Sequence, residues 1–251
     1  MHNFRYYGQL WGNPEIMQDE SNALWLALTL VTRFDADLLE IIGLSLHVSL
    51  SALALACLIG LPLGALLAVN RFRGRCAMLV ALNALMGLPP VVVGLIVYLH
   101  LSRAGPLGWM GLLYTPTAMI IAQTILIAPI IAALSRQVLE DLYVEYAEQF
   151  RSLSVPPHTM MGALIWDGRF SLLTVALAGF GRAIAEVGAV IIVGGNIDHL
   201  TRVMTTAIAL ETSKGDLPLA LALGIVLLIL ALAVNGLVMG LRMTAGRHAY
   251  G

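Results

Sequence analysis

Charge is scarce in this chain. Asp, Glu, Lys and Arg make up 12% of its 251 residues, about half the roughly 25% of a typical soluble domain. The net charge is −1 and no basic cluster occurs, which argues against a nucleic-acid partner. Cysteine is scarcer still. Cys57 and Cys76 are the only two, so there is no disulfide framework and no metal-ligand spacing. Residues 1–22 lack the apolar core of a signal peptide. Nothing resembles a nucleotide-cradling Walker A loop, and neither cofactor nor metal is expected.

What abounds is apolar sequence. Hydrophobic residues reach 59%, which would leave a soluble fold with an insoluble surface. Residues 41–70, 76–102, 104–135 and 217–241 contain no Asp, Glu, Lys or Arg. About 20 apolar residues cross the hydrocarbon layer as a helix, so each run holds one span. A fifth comes from about 171–195. The periods are helical, without the alternation of a transmembrane barrel. The expected fold is an all-α polytopic membrane protein of about five spans. Residues 23–32, "ALWLALTLVT", are too short to cross and read as an interfacial helix.

Arg71, Arg73 and Arg75 crowd the loop between spans one and two. Cytoplasmic loops gather such residues, so this loop is expected inside, with the N-terminus outside and the C-terminus inside. The domains then read as 1–40, an extracytoplasmic segment with the interfacial helix; 41–241, the transmembrane domain; and 242–251, a cytoplasmic tail. Residues 136–170 form a disproportionate cytoplasmic loop. Leu139, Leu142, Tyr146, Phe150 and Leu153 recur there at spacings of three and four, which predicts an amphipathic helix ended by Pro156 and Pro157. A bare connector needs only a few residues, so a partner-docking helix is expected.

Pro89 and Pro90 are adjacent within span two. Proline removes a helical donor and clashes with the preceding turn. In lipid such breaks face protein or water. Pro62 and Pro129 suggest similar interruptions in spans one and three, a pattern that favours a transport pathway. Gly60 and Gly64, and Gly236 and Gly240, have the spacing of closely packed helices. Gln123 is expected to seek an interhelical hydrogen bond. His47 and His100 read as hydrogen-bonded or interfacial. Ser45 and His47, two apart, lie on different helix faces, so a hydrolase site is not expected.

"GFGRAIAEVGAVIIVGGNI", residues 179–197, places Arg182 and Glu186 inside an apolar span. Four apart on a helix, they share a face. Either charge alone at the bilayer centre costs roughly 2.5–3.5 kcal/mol on insertion scales, so they are expected to pair and face the protein interior. Two readings stay open: an ion pair that fixes packing, and a gate on a pathway that also involves Pro89, Pro90, Gln123 and Asn196.

This stretch resembles the conserved segment of molybdate- and tungstate-type ABC importer permeases. "GLPPVVVGL" at 87–95 and "AQTILIAPIIAAL" at 122–134 are similar to the second and third spans of that family. The match is nearest the tungstate branch, since molybdate permeases more often read Gly-Glu-Phe-Gly around the acid. The resemblance covers roughly residues 40–241 and implies a type I importer permease in a prokaryotic inner membrane. It implies a homodimer, two ATP-hydrolysing subunits and an extracytoplasmic binding protein that delivers a group VI oxyanion. The family's coupling pattern, Glu-Ala-Ala and then Gly, maps onto "EQFRSLS": Glu148 takes the acid's place and Ser154 the glycine's. Arg151, Leu153, Val155 and Pro156 complete the expected ATPase contact. Trp166 and Asp167 replace the Leu-Pro that often follows. The chain itself is expected to do no covalent chemistry. Molybdate or sulfate permeases of the same architecture, and less readily a secondary transporter, are the alternatives.

Overall fold

The computed structural model describes residues 36–249. The interfacial helix expected at 23–32 lies outside them. Among the described residues the chain forms nine α-helices and one 3₁₀ turn: α1 Ala36–Val69, α2 Arg75–Met86, α3 Pro90–Leu101, α4 Pro116–Ser152, α5 Pro157–Asp167, α6 Arg169–Ile184, α7 Gly188–Gly194, α8 Met204–Lys214 and α9 Leu217–Ala249. Three helices are long and apolar enough to cross a membrane, and up to five spans result if each bent pair counts as one. The last helix runs on past residue 241 to Ala249.

α1 and α4 form the central pair, and small residues explain their approach. A Cβ at Gly60 would sit 2.9 Å from the Ile131 Cβ, and one at Gly64 would sit 2.1 Å from the Ser135 hydroxyl and 2.8 Å from the Ala132 carbonyl. Lipid tails are as apolar as side chains, so helices in a bilayer associate through such close contact rather than hydrophobic burial. The expected packing role of Gly60 and Gly64 is met. Gly236 and Gly240 differ: a Cβ at either meets nothing within 4 Å among the described residues.

The prolines divide into two kinds. Span two is broken, with α2 and α3 bent by 98°. There Pro89 is the N-cap of α3 and Pro90 its first residue. The pair costs no internal hydrogen bond, because N-terminal donors are unpaired anyway. By contrast, Pro62 and Pro129 lie inside α1 and α4, which continue through them. They do not interrupt spans one and three. In a membrane interior neighbouring helices tolerate a proline that would break an isolated helix.

Span three starts later than its charge-free run and does not stop at the bilayer. α4 begins at Pro116, after turns and the short Gly108–Met110 helix, and has 37 residues. At 1.5 Å per residue it is about 55 Å long, well beyond the roughly 30 Å of hydrocarbon. The amphipathic segment after 136 is therefore the protruding half of this helix and not a separate one. Its apolar stripe (Leu139, Leu142, Tyr146 and Phe150) packs with Leu164 and Met161 of α5, Leu172 of α6, and Ala65 and Ala68 of α1. The helix ends at Ser152, ahead of the prolines. The Ser154 and Val155 amides donate to Arg151 and Phe150 carbonyls, at 3.1 and 3.0 Å. That is a Schellman cap, whose closing residue is left-handed and usually glycine. Ser154 fills it at φ 50°, which accounts for the glycine at this place in the coupling pattern. Ser154→Gly is expected to stabilise the fold by about 0.5–1 kcal/mol, the relief of left-handed strain less the entropy of a freer chain. A thermal midpoint in detergent that fails to rise would contradict this.

Candidate functional site

The span at 171–195, fourth in chain order, is also broken. α6 ends at Ile184 and α7 starts at Gly188. Glu186 therefore lies just past the cap of α6 and not on its face, a correction to the shared-face expectation. The pair still forms. Arg182 Nη1, in the last turn of α6, donates to Glu186 Oε2. The break also frees the carboxylate to cap the next helix. Glu186 Oε1 accepts the Ala189 amide at 3.0 Å, in the first turn of α7. The two partners differ in environment. The Glu186 side chain is 3% exposed and that of Arg182 34%.

A helix break in an apolar layer frees carbonyls that must find donors. Gln123 of α4 donates to the Ala183 carbonyl at 3.2 Å, and Thr205 of α8 donates to that of Glu186 at 2.9 Å. The interhelical bond expected of Gln123 is present. Ser45 of α1 ties in the other side: its hydroxyl accepts the Met204 amide at 2.8 Å and donates to the Ile41 carbonyl at 2.6 Å. Gln123 Oε1 is buried without a partner. A cavity of about 10 Å³ lies among Ser45, Ser49, Gln123, Glu186 and Thr205, room for about one water.

Pro89 and Pro90 start α3, and the residues that follow them pack on the start of α7. A Cβ at Gly188 would lie 2.9 Å from Val91 Cγ2, and one at Gly94 2.8 Å from the Ala189 Cα. The start of α3 thus presses on the start of α7. Asn196 follows in the left-handed turn after α7, at φ 50°, and donates to the Thr206 carbonyl at 3.3 Å. So Arg182 and Glu186 meet directly and Gln123 joins them through the Ala183 carbonyl, with Pro89 and Pro90 adjoining through α3 and Asn196 through α8. Sequence reasoning missed Ser45, Ser49 and Thr205 as members. Small hydroxyl residues inside apolar runs were the available signal. His100 is hydrogen-bonded to the Ile96 carbonyl, as expected.

The coupling residues lie elsewhere. Glu148 and Arg151 are exposed on the protruding half of α4, and Leu153, Ser154 and Pro156 are exposed in the turn beyond it. Val155 is half-buried. Large apolar side chains, Val144, Leu153 and Trp166, stand out to solvent here.

A third polar region was not foreseen. Asp37 and Glu40 of α1 meet His199 of the α7–α8 loop, with ligand atoms within 4.8 Å of one another. All three are exposed. They line a cavity of about 170 Å³ with Asp198, Arg202 and Glu211. The Glu40 carboxylate, hydrogen-bonded at 2.8 Å, pushes the His199 imidazole above its ordinary 6.5.

Over 216 residues the chain is 42% identical to the tungstate uptake system permease protein TupB of Peptoclostridium acidaminophilum, a match spanning 86% of this chain and 95% of that one. The chain belongs to the ABC transporter permease family. The probable anion ABC transporter permease protein of Haloferax volcanii is 39% identical, over 85% of this permease and 95% of the relative. A molybdenum transport system permease protein, ModB of Azotobacter vinelandii, is 25% identical over 68% and 79%. No protein-family profile matches. The permease is a transport subunit, set in the inner membrane by several apolar helices.

Proposed function

We propose that this permease carries tungstate inward through a route gated at the break between α6 and α7. The substrate class rests on similarity to a permease named for tungstate uptake. The gate rests on one observation: a buried carboxylate and its arginine close a helix break whose carbonyls are held by side chains of two other helices. A pathway in an apolar layer needs polar groups that satisfy one another when closed and can exchange partners when open. Polar side chains and backbone N–H groups near the break then offer a tetrahedral dianion weak donors along its way.

The permease works as a homodimer with two ATP-hydrolysing subunits and an extracytoplasmic binding protein. The exposed apolar faces of α3 and α9 suit lipid or a second copy. Residues 71–75 and the protruding half of α4 face the cytoplasm. There Glu148, Arg151, Leu153, Ser154, Val155 and Pro156 meet the ATPase, and closure of that subunit swings the permease between inward and outward access.

Reconstitution of the permease with its ATPase and binding protein in proteoliposomes tests this reading. Labelled tungstate should enter only with ATP, and excess sulfate should not compete. Uptake without ATP would make the protein a secondary transporter instead. Sulfate competing equally with tungstate would overturn the substrate.

A further inference from the structure

We propose that Glu140 is the pin that carries motion from the coupling turn to the α1–α2 elbow. The inference rests on the ATP-coupled reading above. Glu140 sits on the protruding half of α4, and its two carboxylate oxygens hold two guanidinium groups. Oε1 binds Arg75 Nη2 at 2.8 Å, and Oε2 binds Arg136 Nη1. Arg75 is the first residue of α2, and its Nε donates to the Leu67 carbonyl near the end of α1 at 2.9 Å. One carboxylate thereby fastens the end of α1 and the start of α2 to the α4 stalk. All three side chains are two-thirds or more buried, so solvent screens the pair less than it would a surface bridge.

The surroundings are closely packed at this level. Just toward the membrane, Gly64 lies against the Ser135 hydroxyl and the Ala132 carbonyl. Beside it, Leu139 is fully buried with Ala65, Ala68 and Val69 of α1 and Leu164 of α5. A push on residues 148–157 therefore displaces the stalk, α5 and the elbow together. Further along, α2 packs on α4 through Leu79 and Leu82 against Ala132 and Ala133; the Arg75–Glu140 bridge is the polar tie, and it fastens the first turn of α2 at the elbow. The charge count makes Glu140 central. With it, two positive groups share one negative; without it, Arg75 and Arg136 face each other across the α2–α4 gap and repel. Arg136 is on the same helix as Glu140, so its loss cuts no tie between elements.

The test uses the full reconstituted complex, with ATP hydrolysed per tungstate imported as the readout. Glu140→Gln and Arg75→Gln are expected to lower uptake about tenfold, the upper range for residues along a coupling network. ATP turnover should meanwhile lose its response to loaded binding protein. Arg136→Gln should match wild type. In a background lacking Cys57 and Cys76, Arg75→Cys with Glu140→Cys should be uncoupled, and a short bifunctional maleimide joining the two should restore coupling. Restoration excludes a variant that merely failed to fold. Wild-type coupling in both Glu140→Gln and Arg75→Gln would overturn the pin, as would a cross-linked complex that stays uncoupled. A wild-type complex that imports no oxyanion would overturn the functional reading and the pin together.

Discussion

Arg182→Met should destabilise the permease severely, by about 3–5 kcal/mol, because it leaves a buried carboxylate without its cation. The reverse loss is milder. In Glu186→Gln the amide oxygen still accepts from Ala189, and Arg182, a third exposed, keeps access to polar surroundings. A cost of about 1–2 kcal/mol, that of one weakened buried hydrogen bond, is expected. The double variant should return to the stability of Glu186→Gln alone. Packing and gating diverge at this point. A packing pair predicts that uptake returns with stability, whereas a gate predicts a folded double variant that hydrolyses ATP without importing tungstate. The gate is expected here, because Glu186 sits in the break and not on a packed helix face. Thermal midpoints in detergent beside uptake in proteoliposomes separate the two, and uptake recovering in step with the midpoint would end the gating account.

Gly64→Leu is expected to abolish the folded permease. Its Cβ would lie 2.1 Å from the Ser135 hydroxyl and 2.8 Å from the Ala132 carbonyl. The hydroxyl can rotate away, but the carbonyl is helix backbone and cannot. α1 and α4 must then part along their whole contact, a strain at or above the roughly 1–3 kcal/mol of ordinary overpacking. Gly64→Ala should already lower the midpoint by several degrees. Gly236→Ala, inside α9 where a Cβ meets nothing within 4 Å among the described residues, should not lower it, since alanine is the better helix former. Equal midpoints for the two alanine variants would mean that the α1–α4 backbone contact does not hold the bundle together.

Spans, membrane class and family were legible in the sequence because each depends on composition or on contiguous residues. A charge-free run spanning the hydrocarbon layer reads the same whatever surrounds it. The Pro89–Pro90 break was legible because the penalty for proline inside a helix is local. The cap at Ser154 was legible only as a position in a pattern; its φ of 50° supplied the cause. The same local rules misread Pro62 and Pro129, since neighbouring helices decide whether a bilayer proline breaks a span. They also misread Glu186. Its spacing from Arg182 fits a helix, but the helix stops before it, where Gln123 and Thr205 hold carbonyls of the last turn of α6 and of the break itself. Those donors come from α4 and α8, and nothing near residue 186 announces them. Arg75 and Glu140 make the same point. The arginine read as a topology signal, and its partner lies 65 residues away. Pairing over that distance depends on how two helices cross, which chain periodicity does not encode.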